Sequence, residues 1–244
     1  MRIAVTGATG NLGRQVVAHL AGQDVAELSS RNANYEDPQA LRKALQGADK
    51  LVFISSDGEA AKIILHHQNV IAAAVDAGVG HIVLLSGVDA DLASPFCYAY
   101  TNGATETLLR DTGIPFSIAR AGLFAEFFNG LVRQSGGRMP MAGGRVGLVT
   151  RADVAECLAA LALSAPTGTH HDLTGPEALG LADFGGTDIT PAEFTAELAA
   201  GGEEQWWIYA YASMFESIRQ QRWATVSGEV ERLTTRKPSP APRP

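Results

Sequence analysis

The sequence has few of the side chains that hold metals, disulfides or nucleic acids. Two cysteines, Cys97 and Cys157, occur among 244 residues, and their spacing fits no zinc or redox motif, so we interpret both as small buried side chains. Only four lysines accompany fifteen scattered arginines, and the net charge is −7. Because a protein that binds nucleic acid concentrates positive charge on one face, this composition argues against a nucleic-acid partner.

Long apolar runs are also missing. No run reaches the roughly 18 residues of a membrane-spanning helix, and the first residues enter a strand-like segment without the pattern of a signal peptide. The hydrophobic fraction of 46% and the charged fraction of 18% are those of an ordinary globular protein. We therefore expect a cytoplasmic protein with no membrane partner, built on one large core or on one domain with a smaller appendage.

Three glycines near the N-terminus form the most specific motif of the chain. Residues 3–13 read IAVTGATGNLG, and an amphipathic segment follows at once. In this strand–turn–helix context Gly7 allows a tight turn, Gly10 lets the backbone approach a pyrophosphate, and Gly13 lets the helix pack against the strand. The pyrophosphate would be bound by free N–H groups at the helix N-terminus. The expected contacts are with Gly7, Thr9, Gly10, Asn11, Leu12 and Gly13.

Apolar runs alternate with amphipathic segments along the rest of the first 174 residues. Predicted strands cover residues 25–30, 51–56, 81–86, 116–120 and 170–173, and the N-caps expected for two of the helices are Asp37 and Asp153. This order predicts an α/β fold, a doubly wound parallel Rossmann sheet with right-handed crossovers. The roughly twenty residues before the strand at 51–56 leave room for one crossover helix only. Either an edge strand is missing, or the sequence shown omits a piece.

The pattern changes after residue 121, where aromatic and glycine-rich segments replace the alternation. We expect residues 1–122 with 146–174 to form the dinucleotide-binding domain. Residues 123–145 with 175–237 should form a smaller, mixed domain that binds substrate. The proline-rich tail at 238–244 is predicted to be disordered.

Six motifs together resemble the NmrA-like atypical short-chain dehydrogenases/reductases. They are TGATGNLGR (6–14), LVFISS (51–56), HQNVIAAAVDAGV (67–79), RADVAE (151–156), LTGPEAL (173–179) and FESIRQQRWATVS (215–227). The resemblance implies a Rossmann domain that binds NAD(P), a C-terminal substrate domain, and hydride transfer to a quinone or an aromatic ketone, polycyclic polyketides included. It also leaves an alternative open, because relatives include NAD(P)-sensing regulatory proteins without evident catalysis.

The candidate catalytic residues depart from the wider superfamily. Short-chain dehydrogenases commonly use a serine, a tyrosine and a lysine four residues after the tyrosine, which lowers the tyrosine pKa. Here Ser86 ends a strand at the place of the serine, but Tyr98 is followed four residues later by Asn102. Asn102 cannot supply the charge, although it can hydrogen-bond a ribose hydroxyl or the nicotinamide amide. Tyr98 is then either a general acid with an untuned pKa or a residue of the pocket wall, and we favour the wall.

The exit of the second strand bears on the choice of cofactor. NAD-specific sites have an acidic residue about twenty positions after the glycines, and Glu27 near that spacing should lie within the strand. Arg31 lies at the strand exit, where a 2′-phosphate would bind, so NADPH is the preferred cofactor and NAD remains an alternative. Ser55, Ser56 and Ser86 complete the expected cofactor contacts.

Aromatic and histidine residues remain to be interpreted. Phe124, Phe127, Phe128 and Trp207 could line a flat pocket for a small aromatic substrate, or they could be core residues. His66 and His67 are adjacent on a predicted helix and cannot both face one metal, so we interpret them as surface or packing residues. We expect no metal site, and the sequence leaves the oligomeric state open.

Overall fold

The computed structural model describes residues 1–56 and 58–243. In chain order the elements are β1 (Arg2–Val5), α1 (Asn11–His19), β2 (Asp24–Glu27), α2 (Pro38–Leu45), β3 (Lys50–Phe53), α3 (Ala60–Asp76), β4 (His81–Gly87), α4 (Cys97–Asp111), β5 (Phe116–Ala121), α5 (Ala125–Gln134), β6 (Arg138–Met139), β7 (Arg145–Val146), α6 (Arg151–Leu163), β8 (His170–Leu173), β9 (Leu179–Gly180), β10 (Thr187–Asp188), α7 (Pro191–Ala200), α8 (Gln205–Arg219) and α9 (Glu229–Thr234).

A six-stranded parallel sheet with the order β2-β1-β3-β4-β5-β8 is the centre of the molecule. Successive residues of each strand point to opposite faces, so Ile3 and Val5 enter one core cluster and Ala4 enters the other. Helices α1, α6 and α9 cover the first face, and α2, α3 and α4 cover the second. The strands are apolar on both sides because both faces are buried. The predicted doubly wound Rossmann sheet is confirmed.

The expected shortening is found at the edge of the sheet. Strand β2 is the edge strand, and α2 alone crosses from β2 to β3. A full Rossmann order has another strand outside β2, and the described residues have none there. Helix α2 begins as predicted: the Asp37 carboxylate accepts hydrogen bonds from the N–H groups of Gln39 and Ala40, both at 3.0 Å, and Pro38 occupies the first turn.

A second core cluster lies beyond the sheet and is built mainly from α5, α7, α8 and the short strand pairs. Strand β6 pairs with β10 in parallel and β7 pairs with β9 in antiparallel fashion, so the strand content of this unit is mixed. Val146 and Leu148 pack in this second cluster, whereas Val230 of α9 packs against the sheet. The structure therefore differs from the predicted boundaries at 146 and at 237, because packing and not chain order assigns these segments.

The C-terminal segment is packed against the molecule, and its predicted disorder is wrong for the described residues up to 243. Ala241 is buried in the second cluster, and the Asn129 side chain donates to the carbonyl of Pro242 at 2.6 Å. Helix α6 is capped by Thr150 and not by the expected Asp153. The Asp153 carboxylate instead accepts hydrogen bonds from Ser239. Among the described helices, none is long and apolar enough to cross a membrane.

Candidate functional site

The glycine turn between β1 and α1 is shaped by close backbone contacts. Gly7 has φ of +62°, a conformation that favours glycine. A Cβ atom on Gly13 would lie 2.1 Å from the Gly7 carbonyl oxygen, and one on Gly10 would lie 3.2 Å from the same oxygen. Glycine is therefore required at position 13 for the helix to begin directly against the turn.

The N-terminus of α1 is open to a ligand. Gly10 precedes the helix and has no side chain to cap it, and the first helical hydrogen bond of the turn runs from the Arg14 N–H to the Gly10 carbonyl at 3.1 Å. The preceding amides at the helix N-terminus can therefore bind an anion, helped by the helix dipole. The glycine positions leave the backbone of the turn without side chains, and the amides beside it make no helical hydrogen bond. Together these features fit the pyrophosphate of a dinucleotide.

A cavity of about 660 Å³ lies against this turn. The predicted cofactor residues that line it are Gly7, Thr9, Gly10, Asn11, Leu12, Gly13, Ser55 and Ser56. It extends past Ser29, Ser30 and Tyr35 on one side and reaches Phe124 and Arg151 on the other. Arg31 follows the two serines and is exposed; its side chain is not among the cavity-lining residues.

A second cavity of about 240 Å³ adjoins the first at the carboxyl ends of β3 and β4. Both cavities are lined by Ser55, Ser56, Leu85 and Phe124. The remaining walls of the smaller cavity are mostly apolar side chains, among them Phe96 and Trp223, whose ring centroids are 5.2 Å apart. This is the edge at which open α/β sheets bind ligands, and an apolar chamber beside a nucleotide site can hold a flat substrate.

The three candidate catalytic residues Ser86, Tyr98 and Asn102 all line the smaller cavity. The Tyr98 hydroxyl donates to the carbonyl of Gly58 at 2.8 Å, and its ring contacts Phe96 edge-on. The structure thus brings the predicted residues together, with the tyrosine ring in the wall and its proton directed to backbone.

Ser86 is connected to a buried ion pair. Its hydroxyl donates to Glu106 at 2.7 Å, and Arg120 donates to both oxygens of the same carboxylate. Burial raises the pKa of Glu106, but hydrogen bonds from Arg120 and Ser86 outweigh this effect and lower it. Glu106 is therefore ionised, and the Ser86 oxygen is left as a hydrogen-bond acceptor toward the cavity.

The four aromatic residues considered for a substrate pocket lie in different places. Phe124 lines both cavities, but Phe128 is fully buried against Phe184 and belongs to the core. Phe127 and Trp207 both pack on Tyr211, and neither is among the residues that line these two cavities. The difference arises because Phe124 precedes α5, whereas Phe128 lies one helical turn later on the inward face.

The two histidines of α3 are buried, so of the two alternatives that the sequence left open they are packing residues and not surface residues. His67 Nε2 lies 2.8 Å from Ser55 Oγ, and His66 Nδ1 lies 2.9 Å from Ser56 Oγ. Burial lowers the pKa of His67 to about 4, so this ring is neutral near pH 7. The two serines at the end of a strand and the two histidines on the next helix were visible in the sequence. Which serine contacts which histidine depends on how α3 packs, so the contacts could not be predicted.

Comparison with known proteins agrees with this geometry. A family model described as NAD(P)H-binding matches residues 7–165. Quinone oxidoreductase 2 of Escherichia coli strain K12 is 36% identical over 200 residues, which cover 72% of this chain and 69% of that protein. An NmrA-like family domain-containing oxidoreductase of Aspergillus flavus is 29% identical, over 66% of this chain and 61% of that protein.

Solved structures extend the likeness to almost the whole chain. An NADPH-dependent quinone oxidoreductase of Escherichia coli, complexed with NADPH, has a TM-score of 0.87 at 28% identity and covers 98% of this chain and 96% of its own. A triphenylmethane reductase of Citrobacter sp., complexed with NADP(H), has a TM-score of 0.84 at 25% identity, with coverage of 98% and 97%.

Proposed function

This chain belongs to the NAD(P)H-binding family, and we propose that it is an NADPH-dependent reductase that transfers hydride to a quinone or an aromatic ketone held in the smaller cavity. One observation carries the proposal: an apolar chamber opens directly from the dinucleotide cavity and shares Ser55, Ser56, Leu85 and Phe124 with it. A nicotinamide that follows the cavity from the glycine turn would reach these shared residues. The reductases reported above are similar in sequence and fold, and their substrates include quinones and triphenylmethane dyes.

The bound cofactor supplies the hydride, so the protein contributes binding, orientation and exclusion of water. The α1 N-terminus would hold the pyrophosphate. The Ser86 hydroxyl donates its hydrogen bond to Glu106, so its oxygen would accept one from the carboxamide. Phe124 and Trp223 form apolar walls that fit a flat ring.

Steady-state oxidation of NADPH by purified protein tests this proposal. We expect turnover with menadione, a substituted benzoquinone or an aryl ketone. Binding of NADPH without oxidation by any acceptor would favour the regulatory alternative.

The Gly13→Ala variant tests the cofactor site. Since a Cβ there would overlap the Gly7 carbonyl at 2.1 Å, the turn must shift, and we expect calorimetry to show at least about tenfold weaker NADPH binding, which corresponds to about 1.4 kcal/mol. Gly130→Ala is the matched control, because Gly130 lies within α5 and a Cβ there meets open space. Equal binding by both variants would show that the cofactor site is misplaced.

A further inference from the structure

Two serine–histidine pairs lie side by side where β3 ends. The polar contacts of one pair continue into the interior, and those of the other continue toward solvent. The Ser55–His67 pair continues inward. His67 Nδ1 lies 2.6 Å from the hydroxyl of Thr105, which in turn can donate to the carbonyl of Thr101 at 2.8 Å. This series of hydrogen bonds ends on a backbone carbonyl in the interior, so it does not connect His67 with solvent.

The Ser56–His66 pair continues outward. His66 is 7% exposed, and its Nε2 atom makes no hydrogen bond among the described residues. That atom lies 3.5 Å from a carboxylate oxygen of Glu36, which is paired with Lys62 at 2.7 Å. The side chains of Glu36 and Lys62 are 53% and 56% exposed. A continuous path of polar atoms therefore joins the cavity wall at Ser56 to solvent at Glu36.

We propose that Ser56, His66 and Glu36 form a proton relay that protonates the substrate oxygen, a role that rests on the proposed reductase function. Hydride converts a ketone into an alkoxide, or a quinone into the hydroquinone anion. The Ser56 O–H bond then breaks, and its proton forms the new O–H bond of the product. The Nδ1 proton of the His66 imidazolium then restores the Ser56 hydroxyl, and the ring is left neutral. A proton from solvent at Glu36 returns His66 to its charged form, so the whole reaction consumes one hydride and one proton.

The other hydroxyl groups of the smaller cavity are less suited to this role, because each donates a hydrogen bond to an acceptor of the protein. They are those of Ser55, Ser86, Tyr98 and Thr101. Ser56 lines both cavities, which places it where the nicotinamide end of the cofactor site meets the substrate.

A negative charge faces the outer nitrogen of His66. Lys62 lowers the pKa of Glu36, so Glu36 is a carboxylate at neutral pH. The neighbouring His67 is neutral near pH 7, and burial raises the pKa of Tyr35, whose ring contacts His66, to about 12. The carboxylate of Glu36 is thus the charge that acts on Nε2 at 3.5 Å.

The first measurement is an NMR spectrum of the His66 ring nitrogens in protein without ligand. We expect Glu36→Gln to shift the Nε2 resonance, because the carboxylate oxygen 3.5 Å away is replaced by a neutral amide. This readout is independent of turnover. An unchanged Nε2 resonance in the variant would remove Glu36 from the relay.

The second measurement is the pH profile of kcat with saturating NADPH and quinone. In the parent protein kcat should fall as pH rises, because the relay needs a proton on both ring nitrogens of His66. We expect Ser56→Ala and His66→Gln to lower kcat about 100-fold, at the low end for loss of a general acid, and to flatten the profile. The dissociation constant of NADPH is measured for both variants, because Ser56 and His66 also line the cofactor cavity and a fall in kcat at saturating NADPH must be separated from weaker binding.

His67→Gln is the matched control, since it removes the adjacent buried ring and its serine contact. We expect this variant to retain the falling pH profile with the parent's midpoint. A profile that survives in His66→Gln, or that is lost equally in His67→Gln, would overturn the relay while the reductase function stands. If no quinone or ketone supports NADPH oxidation by the parent protein, the proposed function fails and the relay fails with it.

Discussion

At the scale of single residues, Arg31 is the side chain that should distinguish the two nicotinamide cofactors. It is exposed at the exit of β2, directly after Ser29 and Ser30 of the cavity wall. A charge-assisted hydrogen bond to the 2′-phosphate is worth roughly 1.5–3 kcal/mol, so Arg31→Ala should weaken NADPH binding about 10- to 150-fold. NADH lacks the phosphate, and its affinity should change little. Calorimetry with both cofactors measures the difference, and equal weakening would refute the assignment.

Cofactor residues were accessible to sequence analysis because the chemistry of the turn constrains single positions. Only glycine fits at position 13, so the motif itself specifies the geometry of the turn. Ser86, Tyr98 and Asn102 were candidates because they stand at the places of the serine, tyrosine and lysine that short-chain dehydrogenases commonly use. Trp223 was present in the motif at 215–227 but had no predicted role, because its position depends on how the chain returns after α8. His66 was missed for a similar reason: burial and its contact with Ser56 arise from the packing of α3.

At the scale of elements, α9 should be attached to the sheet in a pH-dependent way. Glu229 at its start is ion-paired with Arg232, and its carboxylate lies 2.7 Å from Nδ1 of His171 of β8. Hydrogen bonds from Arg232 and His171 outweigh partial burial and lower the pKa of Glu229 to about 2, below the value of about 4.3 for an unfolded chain. A lowered carboxyl pKa stabilises the fold above the unfolded value, and this stabilisation is lost as pH falls from about 4.3 to about 2.

Glu229→Gln should therefore lower the free energy of unfolding at pH 7 by about 1–2 kcal/mol, and the difference from the parent should shrink toward zero near pH 2. Denaturant titrations at several pH values measure this convergence. Glu231→Gln, on the same helix and exposed, serves as the control. Parallel curves for the parent and Glu229→Gln would contradict the prediction.

Element boundaries show where sequence patterns stop being informative. The continuous apolar runs predicted the buried parallel strands, because a strand covered on both faces must be apolar throughout. Helix α4, in contrast, begins at Cys97, so Tyr98 lies in its first turn. No side chain caps this start, which explains why the sequence carried no local signal for it.

At the scale of the whole molecule, the last residues join the two cores. Ser239 donates two hydrogen bonds to Asp153 of α6, from its N–H at 2.7 Å and from its hydroxyl at 3.1 Å. Ala241 is buried in the second cluster, and Pro242 accepts from Asn129 of α5. Asp153 is fully buried, so its charge depends on these donors and on Arg236 at 2.6 Å. Composition alone predicted disorder here, because it does not show that Asp153 and Asn129, far away in sequence, form hydrogen bonds with this segment.

Deletion of residues 238–244 should consequently destabilise the protein, whereas a disordered tail would be dispensable. Loss of the Ser239 donors leaves a buried carboxylate partly unsatisfied, which costs roughly 1.5–3 kcal/mol, and a protein of this size loses about 2–4 °C of Tm per kcal/mol. We expect calorimetry to show a Tm lower by about 3–12 °C. Truncation after Pro242 removes only Arg243, an exposed partner of Glu177, and Pro244, so its Tm should stay close to that of the parent. A full deletion with unchanged Tm would show that the segment adds nothing to the junction of the two cores.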